Sequence, residues 1–321
     1  PFNIACSGVG ISYTPWLRKL VNDINLANVA GFYRIGDYSA VSASLRFFSL
    51  GEVFLSDMED MTINPYEFAI DAGYSRMLSE RFSMAVNMRF IFSDIRYDYT
   101  AESSAGKAFA ADIAMYRLGY FMMGSRECSF AWGLNINNIG SKISYGGDDN
   151  AEFIPTNLRL GLNMTVPFNE YNKFSVAVDA NKLLVPTYPK QDTENGETDN
   201  DYTDRVQKDY YDVSPIAGIF KSFYDAPNGF KEEMQEIQWS VGCEYTYNDR
   251  FMLRGGYHHE AANKGNRKYF TVGAGFHMSV FTVDASYVFS TSQTNPLDQT
   301  MRFSLGFDLD GMRDLFGKRR R

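Results

Sequence analysis

Tyr269-Phe270-Thr271-Val272-Gly273-Ala274-Gly275-Phe276-His277-Met278, with its continuation to Leu309, decides the fold. Phe270, Val272, Phe276 and Met278 alternate with Thr271, Gly273, Gly275 and His277. The next run repeats the pattern, with Phe281, Val283, Ala285, Tyr287 and Phe289 against Thr282, Asp284, Ser286 and Ser290. A third run sets Met301, Phe303, Leu305, Phe307 and Leu309 against Thr300, Arg302, Ser304 and Asp308. Period two marks strands, because successive side chains leave opposite faces of the pleat. An unbroken apolar face opposed by one carrying Arg, Asp and His is lipid-out and polar-in. The expectation is an all-β fold, a transmembrane antiparallel β-barrel in an outer membrane.

The pattern extends upstream. Phe82, Met84, Val86, Met88, Phe90 and Phe92 oppose Ser83, Asn87, Arg89 and Ser93. Leu158, Leu160, Leu162, Met164 and Val166 oppose Arg159, Gly161, Asn163 and Thr165. Similar runs start near 127, 173 and 237. The whole chain yields about fourteen strands, near 9–15, 25–34, 38–48, 66–76, 82–95, 107–121, 127–138, 154–166, 173–184, 237–247, 250–259, 269–279, 281–291 and 299–309. That even count is what bacterial barrels require. Short turns at 35–37, 78–80, 248–249 and 279–280 alternate with longer loops, of which 185–236 is by far the longest. Short turns belong to the periplasm and long loops to the outside. Residues 1–309 therefore read as a single barrel and 310–321 as a periplasmic C-terminal tail.

Two loop stretches carry helical spacing. Val213, Ile216, Ala217, Phe220, Phe223 and Tyr224 predict a short amphipathic helix inside the extracellular insertion. Leu17, Leu20, Val21 and Ile24 predict another after Trp16. Asp192–Asp204, rich in carboxylates and free of aliphatic residues, is expected as a mobile extracellular loop, with loose divalent-cation binding as the alternative.

Composition agrees with a barrel. The 321 residues are 45% hydrophobic, with 26 Phe and 21 Tyr to supply aromatic girdles. Mean hydropathy is −0.31, and no apolar run is long enough for a membrane-spanning helix. A net charge of −8 argues against nucleic acid, which needs a clustered basic surface. Cys6, Cys128 and Cys243 are odd in number and far apart, so neither a disulfide framework nor a zinc site is indicated. The chain opens at Pro1 with no Met, basic n-region or apolar h-region, and an outer-membrane protein needs a secretion signal. The natural start is therefore expected upstream.

Motifs for catalysis are lacking. There is no GxSxG, no P-loop, and only three histidines from which to assemble a triad. His258, His259 and Glu260 are neighbours, but adjacent strand residues leave opposite faces and cannot easily share a metal. Asp308-x-Asp310-Gly311 echoes part of a calcium loop without its later ligands and reads as a periplasmic turn. No catalytic residue, metal site or cofactor is assigned.

About fourteen strands enclose more space than side chains alone fill. Arg89, Arg159, Arg254 and Arg302 face inward in this register, as do Asp71, Asp179, Glu244 and Asp284. They are either a mutually paired network that stiffens the wall or the lining of a substrate or ion path. Outside the barrel, Phe220, Phe223, Tyr224, Phe230 and Met234 cluster around Asp225-Ala226-Pro227-Asn228-Gly229. Apolar residues in a loop meant for water must be covered, by the barrel's own mouth or by a protein partner.

Several segments carry a family resemblance. Ser12-Tyr13-Thr14-Pro15-Trp16-Leu17 and Val21-Asn22-Asp23-Ile24-Asn25-Leu26 resemble the PorV family of the Bacteroidetes type IX secretion system. So do Ser222-Phe223-Tyr224-Asp225-Ala226-Pro227, Gly229-Phe230-Lys231-Glu232-Glu233, and Asn295-Pro296-Leu297-Asp298-Gln299-Thr300-Met301-Arg302-Phe303. The resemblance implies a FadL-like barrel and a shuttle role. Such proteins take the C-terminal domain of secreted cargo at the large translocon barrel and deliver it to a PorU-containing attachment complex. They also pack against the translocon and sit in outer-membrane lipid. A link of one such protein to lipopolysaccharide deacylation finds no hydrolase motif here. The sequence also departs from the family in ending with Gly317-Lys318-Arg319-Arg320-Arg321 instead of a terminal aromatic.

Two functions of different class follow. The first is a non-enzymatic cargo receptor, with Trp16, Leu17, Phe220, Phe223, Tyr224 and Phe230 as its apolar contact set. The second is a FadL-like transporter of hydrophobic small molecules, which needs a continuous apolar pocket in the lumen.

Overall fold

The computed structural model describes residues 7–17, 23–55, 61–95, 104–146, 151–192, 196–291 and 297–317. Strands β1 (Ser7–Pro15), β2 (Asn25–Ile35) and β3 (Ser39–Ser49) open the barrel. A small hairpin of β4 (Val53–Leu55) and β5 (Met61–Ile63) stands apart in the loop that follows. The barrel continues with β6 (Tyr66–Ser79), β7 (Phe82–Asp94), β8 (Gly106–Met123), β9 (Arg126–Gly140), β10 (Asn157–Pro167) and β11 (Asn172–Leu183). Next come the helices α1 (Asp199–Val206), α2 (Pro215–Lys221) and α3 (Phe230–Gln235). The wall resumes with β12 (Gln238–Tyr247), β13 (Phe251–His259), β14 (Lys268–Met278), β15 (Phe281–Ser290) and β16 (Met301–Asp308), and the helix α4 (Leu309–Gly317) follows.

All strands but β4 and β5 form one closed antiparallel ring, each beside its sequence neighbours, and β1 closes on β16 through Gly8↔Asp308 to Tyr13↔Phe303. Closure removes the sheet edges, which lipid cannot hydrogen-bond. Fourteen strands stand in the ring, as the alternation predicts. Paired rows share a face. Val272↔Tyr287, Phe251↔Phe276 and Val283↔Leu305 lie outside, and Gly275↔Asp284 and Glu244↔Arg254 lie inside. Val29, Leu45, Ile70, Val178, Val272 and Phe303 stand exposed on the outer wall, where water would penalise them and lipid does not. The turn Asn248–Asp249 holds both residues at positive φ, the backbone of a tight twisted hairpin.

Three loop expectations change. Asp192–Asp204 is not a plain loop, because α1 begins at Asp199. The Thr198 hydroxyl accepts from the Asp201 amide, and Asp199 and Asp201 sit in the first turn, where carboxylates favour the helix dipole. The Asp308–Gly311 turn and the tail as far as Gly317 become α4. Asp308 Oδ1 caps the helix by accepting from the amides of Asp310 (3.0 Å) and Gly311 (3.1 Å), and Asp310 accepts from the Ser7 hydroxyl at 2.9 Å. The helix expected at 16–24 lies largely outside the described residues. Trp16 closes that loop by donating its amide to the Ile24 carbonyl at 2.9 Å.

Candidate functional site: lumen and extracellular insertion

The lumen wall carries two ion clusters. On β7, Arg89 sits between Asp71 on β6 (2.5 Å) and Asp112 on β8 (2.9 Å). It also bonds Asn138, whose amide donates to Asp112 at 2.8 Å. On β13, Arg254 bonds Glu244 on β12 at 2.5 Å and reaches Asp284 on β15. Arg159 donates to Asn181 at 2.6 Å, and Asp179 sits on the next strand beside Gly161. Arg302 lies in register with Ser286, and among the described residues no carboxylate pairs with it. Asp112 faces the lumen by plain alternation opposite Asn87, and the extra residue of a bulge in β9, where Asn138 stands at φ 57°, brings the Asn138 amide onto its carboxylate. At the turn end, a cavity of about 950 Å³ is lined by Ser44, Arg46, Asp71, Arg89, His277 and Asp308 among other residues.

His258 and His259 leave opposite faces. His258 stacks on Tyr269 and shares a hydrogen bond with Ser240, whereas His259 stacks on Trp239 of the outer wall. Glu260, just past β13, is buried and accepts from Arg267 and Gln238. Arg267 hydrogen bonds hold its carboxyl below the ordinary range although burial pushes the other way.

The insertion between β11 and β12 is built, not slack. Ser214 caps α2 and Pro215 starts it, a standard helix opening. A single π turn at Gln207–Tyr211 delivers the Tyr210 and Tyr211 hydroxyls to Glu152, at 3.0 and 3.1 Å. Burial, first, and the Glu152 bond raise the Tyr211 hydroxyl to about 12. Lys142 answers by donating to the carbonyls of both tyrosines, and it lies over the Phe153 ring. Asp225 accepts from the Thr187 amide and hydroxyl, and burial raises its carboxyl.

An ion lattice anchors α3. Lys182 bonds Glu233 (3.0 Å) and Glu236 (2.6 Å), and Lys264 bonds Glu232 (2.7 Å) and Glu236 (2.9 Å). Lys182 pairs with Leu158, on the outward row of Leu160 and Val178. A bare ammonium there would face the membrane rim, so α3 leans over the rim and neutralises it. Spacing alone gave no sign of this lattice, because its partners lie 28 to 54 residues apart in sequence.

The anchored insertion leaves apolar side chains in the open. Phe220 is 66% exposed, Phe223 47%, Tyr224 75% and Phe230 80%. Trp16 is half-buried and packs edge-on against Phe48, and Leu17 beside it sits at φ 53°. Both lie in the β1–β2 loop, across the ring from β11 and β12, so the structure does not bring them to the insertion's aromatics.

A family model described as "Type IX secretion system protein PorV" matches residues 1–190. The chain belongs to the PorV family. That match takes in the segments around Trp16 and Asn25, and the later PorV-like segments around Phe223 and Met301 fall beyond it. No curated protein matches the sequence significantly. Several solved barrels are similar to the chain at low identity. CdiB from Acinetobacter baumannii is 10% identical with a TM-score of 0.49, over 95% of this chain and 60% of that one. The TodX deltaS2S3 mutant, titled a monoaromatic hydrocarbon channel, is 11% identical with a TM-score of 0.49, over 94% and 88%. A Pseudomonas aeruginosa FadL homologue is 10% identical with a TM-score of 0.40, over 94% and 90%. The chain thus spans under two thirds of CdiB. With its closed lipid-facing wall, this PorV-family chain is an outer-membrane component of a type IX secretion system.

Proposed function

We propose that this barrel is a non-enzymatic cargo receptor. It takes the C-terminal domain of secreted proteins at the large translocon barrel and carries it to the PorU-containing attachment complex. The observation that carries the reading is the exposure of Phe220, Phe223, Tyr224 and Phe230 on a clamped extracellular insertion. Rigid aromatic anchors lose little conformational freedom on binding and dominate interface energetics. Trp16 and Leu17, on another loop, would form a separate contact. The alternative, a transporter of hydrophobic molecules, would draw on the lumen cavity, whose lining mixes apolar Phe32, Ala43, Val280 and Phe307 with charged Arg46, Asp71, Arg89 and Asp308.

The test is a titration of a purified cargo C-terminal domain against the detergent-solubilised barrel. Phe220→Ala combined with Phe223→Ala should weaken binding at least about tenfold, as loss of one strong hot spot does. Unchanged affinity in that double variant would remove the basis of the reading.

A further inference from the structure

The insertion concentrates the protein's charge. Residues 184–237 hold twelve Asp and Glu (192, 194, 197, 199, 201, 204, 209, 212, 225, 232, 233, 236) and five Lys and Arg (190, 205, 208, 221, 231). Twelve negative and five positive charges leave −7 of the chain's net −8 in this one segment. The glutamates of α3 are spent internally on Lys182 and Lys264. The excess therefore lies around α1, where Asp199, Asp201 and Asp204 are exposed.

α1 and the corner between α2 and α3 face each other across a cleft of about 640 Å³. Its lining includes Asp192, Glu197, Asp201, Asp209 and Asp225 against Lys190, Arg205 and Lys221. Arg205 is occupied by Glu197 at 2.7 Å, and Lys221 donates to the Asp209 carbonyl at 2.8 Å. Carboxylates thus exceed cations inside the cleft. The exposed Phe220 and Tyr224 are chain neighbours of Lys221 and Asp225, which line the cleft, so apolar anchors stand next to an anionic slot.

We infer that this cleft receives a basic side chain, Lys or Arg, of a protein segment whose apolar residues seat on Phe220 and Tyr224. Charge complementarity selects the occupant. An outer-leaflet surface of anionic headgroups would be repelled by the carboxylates, whereas a basic, apolar polypeptide satisfies both halves. The inference deepens the receptor reading and rests on it only for the partner's name. It fixes that partner's chemistry, with a cationic face beside an apolar one.

Two probes separate the two claims. The first is a purified cargo C-terminal domain, and the second is a synthetic amphipathic peptide bearing lysines and leucines, with a glutamate-for-lysine twin. Both are titrated against the whole barrel in detergent at low and high salt. Screening should weaken cleft binding about tenfold or more between the two salts. Asp201→Asn with Asp209→Asn should produce a similar loss at low salt, and Glu170→Gln in a periplasmic turn should change nothing. A cargo domain that binds tightly, indifferent to salt and to the Asp variants, overturns the cleft and leaves the receptor reading intact. A lysine peptide that binds in the cleft while every cargo domain fails upholds the cleft and ends the receptor reading. Equal binding of the lysine and glutamate peptides overturns the inference. So does a Tyr224→Trp reporter whose emission shifts on reconstitution into anionic lipid vesicles without protein, since the face would then be covered by membrane.

Discussion

Arg254 on β13 bonds Asp284 on β15 across the intervening strand β14, and it can do so because Gly275 stands between them. A Cβ at Gly275 would lie 2.5 Å from Asp284 Oδ1 and 3.1 Å from Arg254 Nη1. The glycine that reads in the sequence as one more small lumen residue is therefore the gap through which two strands are tied. Gly275→Ala should lower stability by about 1–2 kcal/mol, the range between exposed and buried pairs. Urea unfolding in lipid or detergent measures it, and an unchanged midpoint would show that the tie contributes nothing.

The two clusters should differ. Arg89 and its partners Asp71 and Asp112 are 12%, 11% and 6% exposed, whereas Arg254, Glu244 and Asp284 are 39%, 32% and 31% exposed. Arg89→Met leaves two buried carboxylates without a cation and should cost about 3–5 kcal/mol. Arg254→Met should cost about 1–2 kcal/mol, since water screens what remains. The same unfolding titration ranks them, and a reversed order would mean that solvent reaches Arg89.

The faces of β14 give a test of register at one depth. Val272 is outside and Thr271 inside. Val272→Arg should destabilise by roughly 2–4 kcal/mol near the bilayer middle, and Thr271→Arg far less. Equal losses on refolding into lipid would contradict the assignment of faces.

Acid should release α1 late. The Arg205 hydrogen bond holds Glu197 at about 2, against an ordinary 4.5. A carboxyl depressed in the folded state contributes its full stabilisation above the ordinary value and loses it as pH falls toward the depressed one. Amide exchange across 199–206 should therefore stay slow at pH 5 and quicken only between about 4 and 2. Glu197→Gln should lower protection at pH 5 and above and match the wild type near pH 2, and a wild-type α1 already open at pH 5 would refute the anchor.

Much of this was legible beforehand where a physical constraint acts on every second residue. Lipid on one side and a polar lumen on the other force Phe270-Thr271-Val272-Gly273 to announce both strand and facing, and the even strand count followed. Legibility failed where that constraint stops. The β9 bulge at Asn138, which turns that residue's amide onto Asp112, breaks the two-residue period and left no sign in it. The helix α1 hid in a carboxylate-rich run where Tyr202 and Val206 alone make no apolar stripe, because its stability comes from the Thr198 cap, first-turn carboxylates and the Glu197–Arg205 pair. Lys182 reads as a stray charge on an outward row until α3 is seen to cover it. The exposed Phe220, Phe223 and Tyr224 were legible as a cluster. Their distance from Trp16 and Leu17 was not, since nothing local encodes position around a ring.

The most direct measurement is a mild-detergent pull-down of the tagged barrel from its own outer membrane, with every co-purifying protein and lipid identified by mass spectrometry. A cargo receptor of the type IX system should bring down a very large barrel together with proteins that share one C-terminal domain. Recovery of this barrel alone, with fatty acid bound in its lumen, would contradict the receptor and favour a transporter.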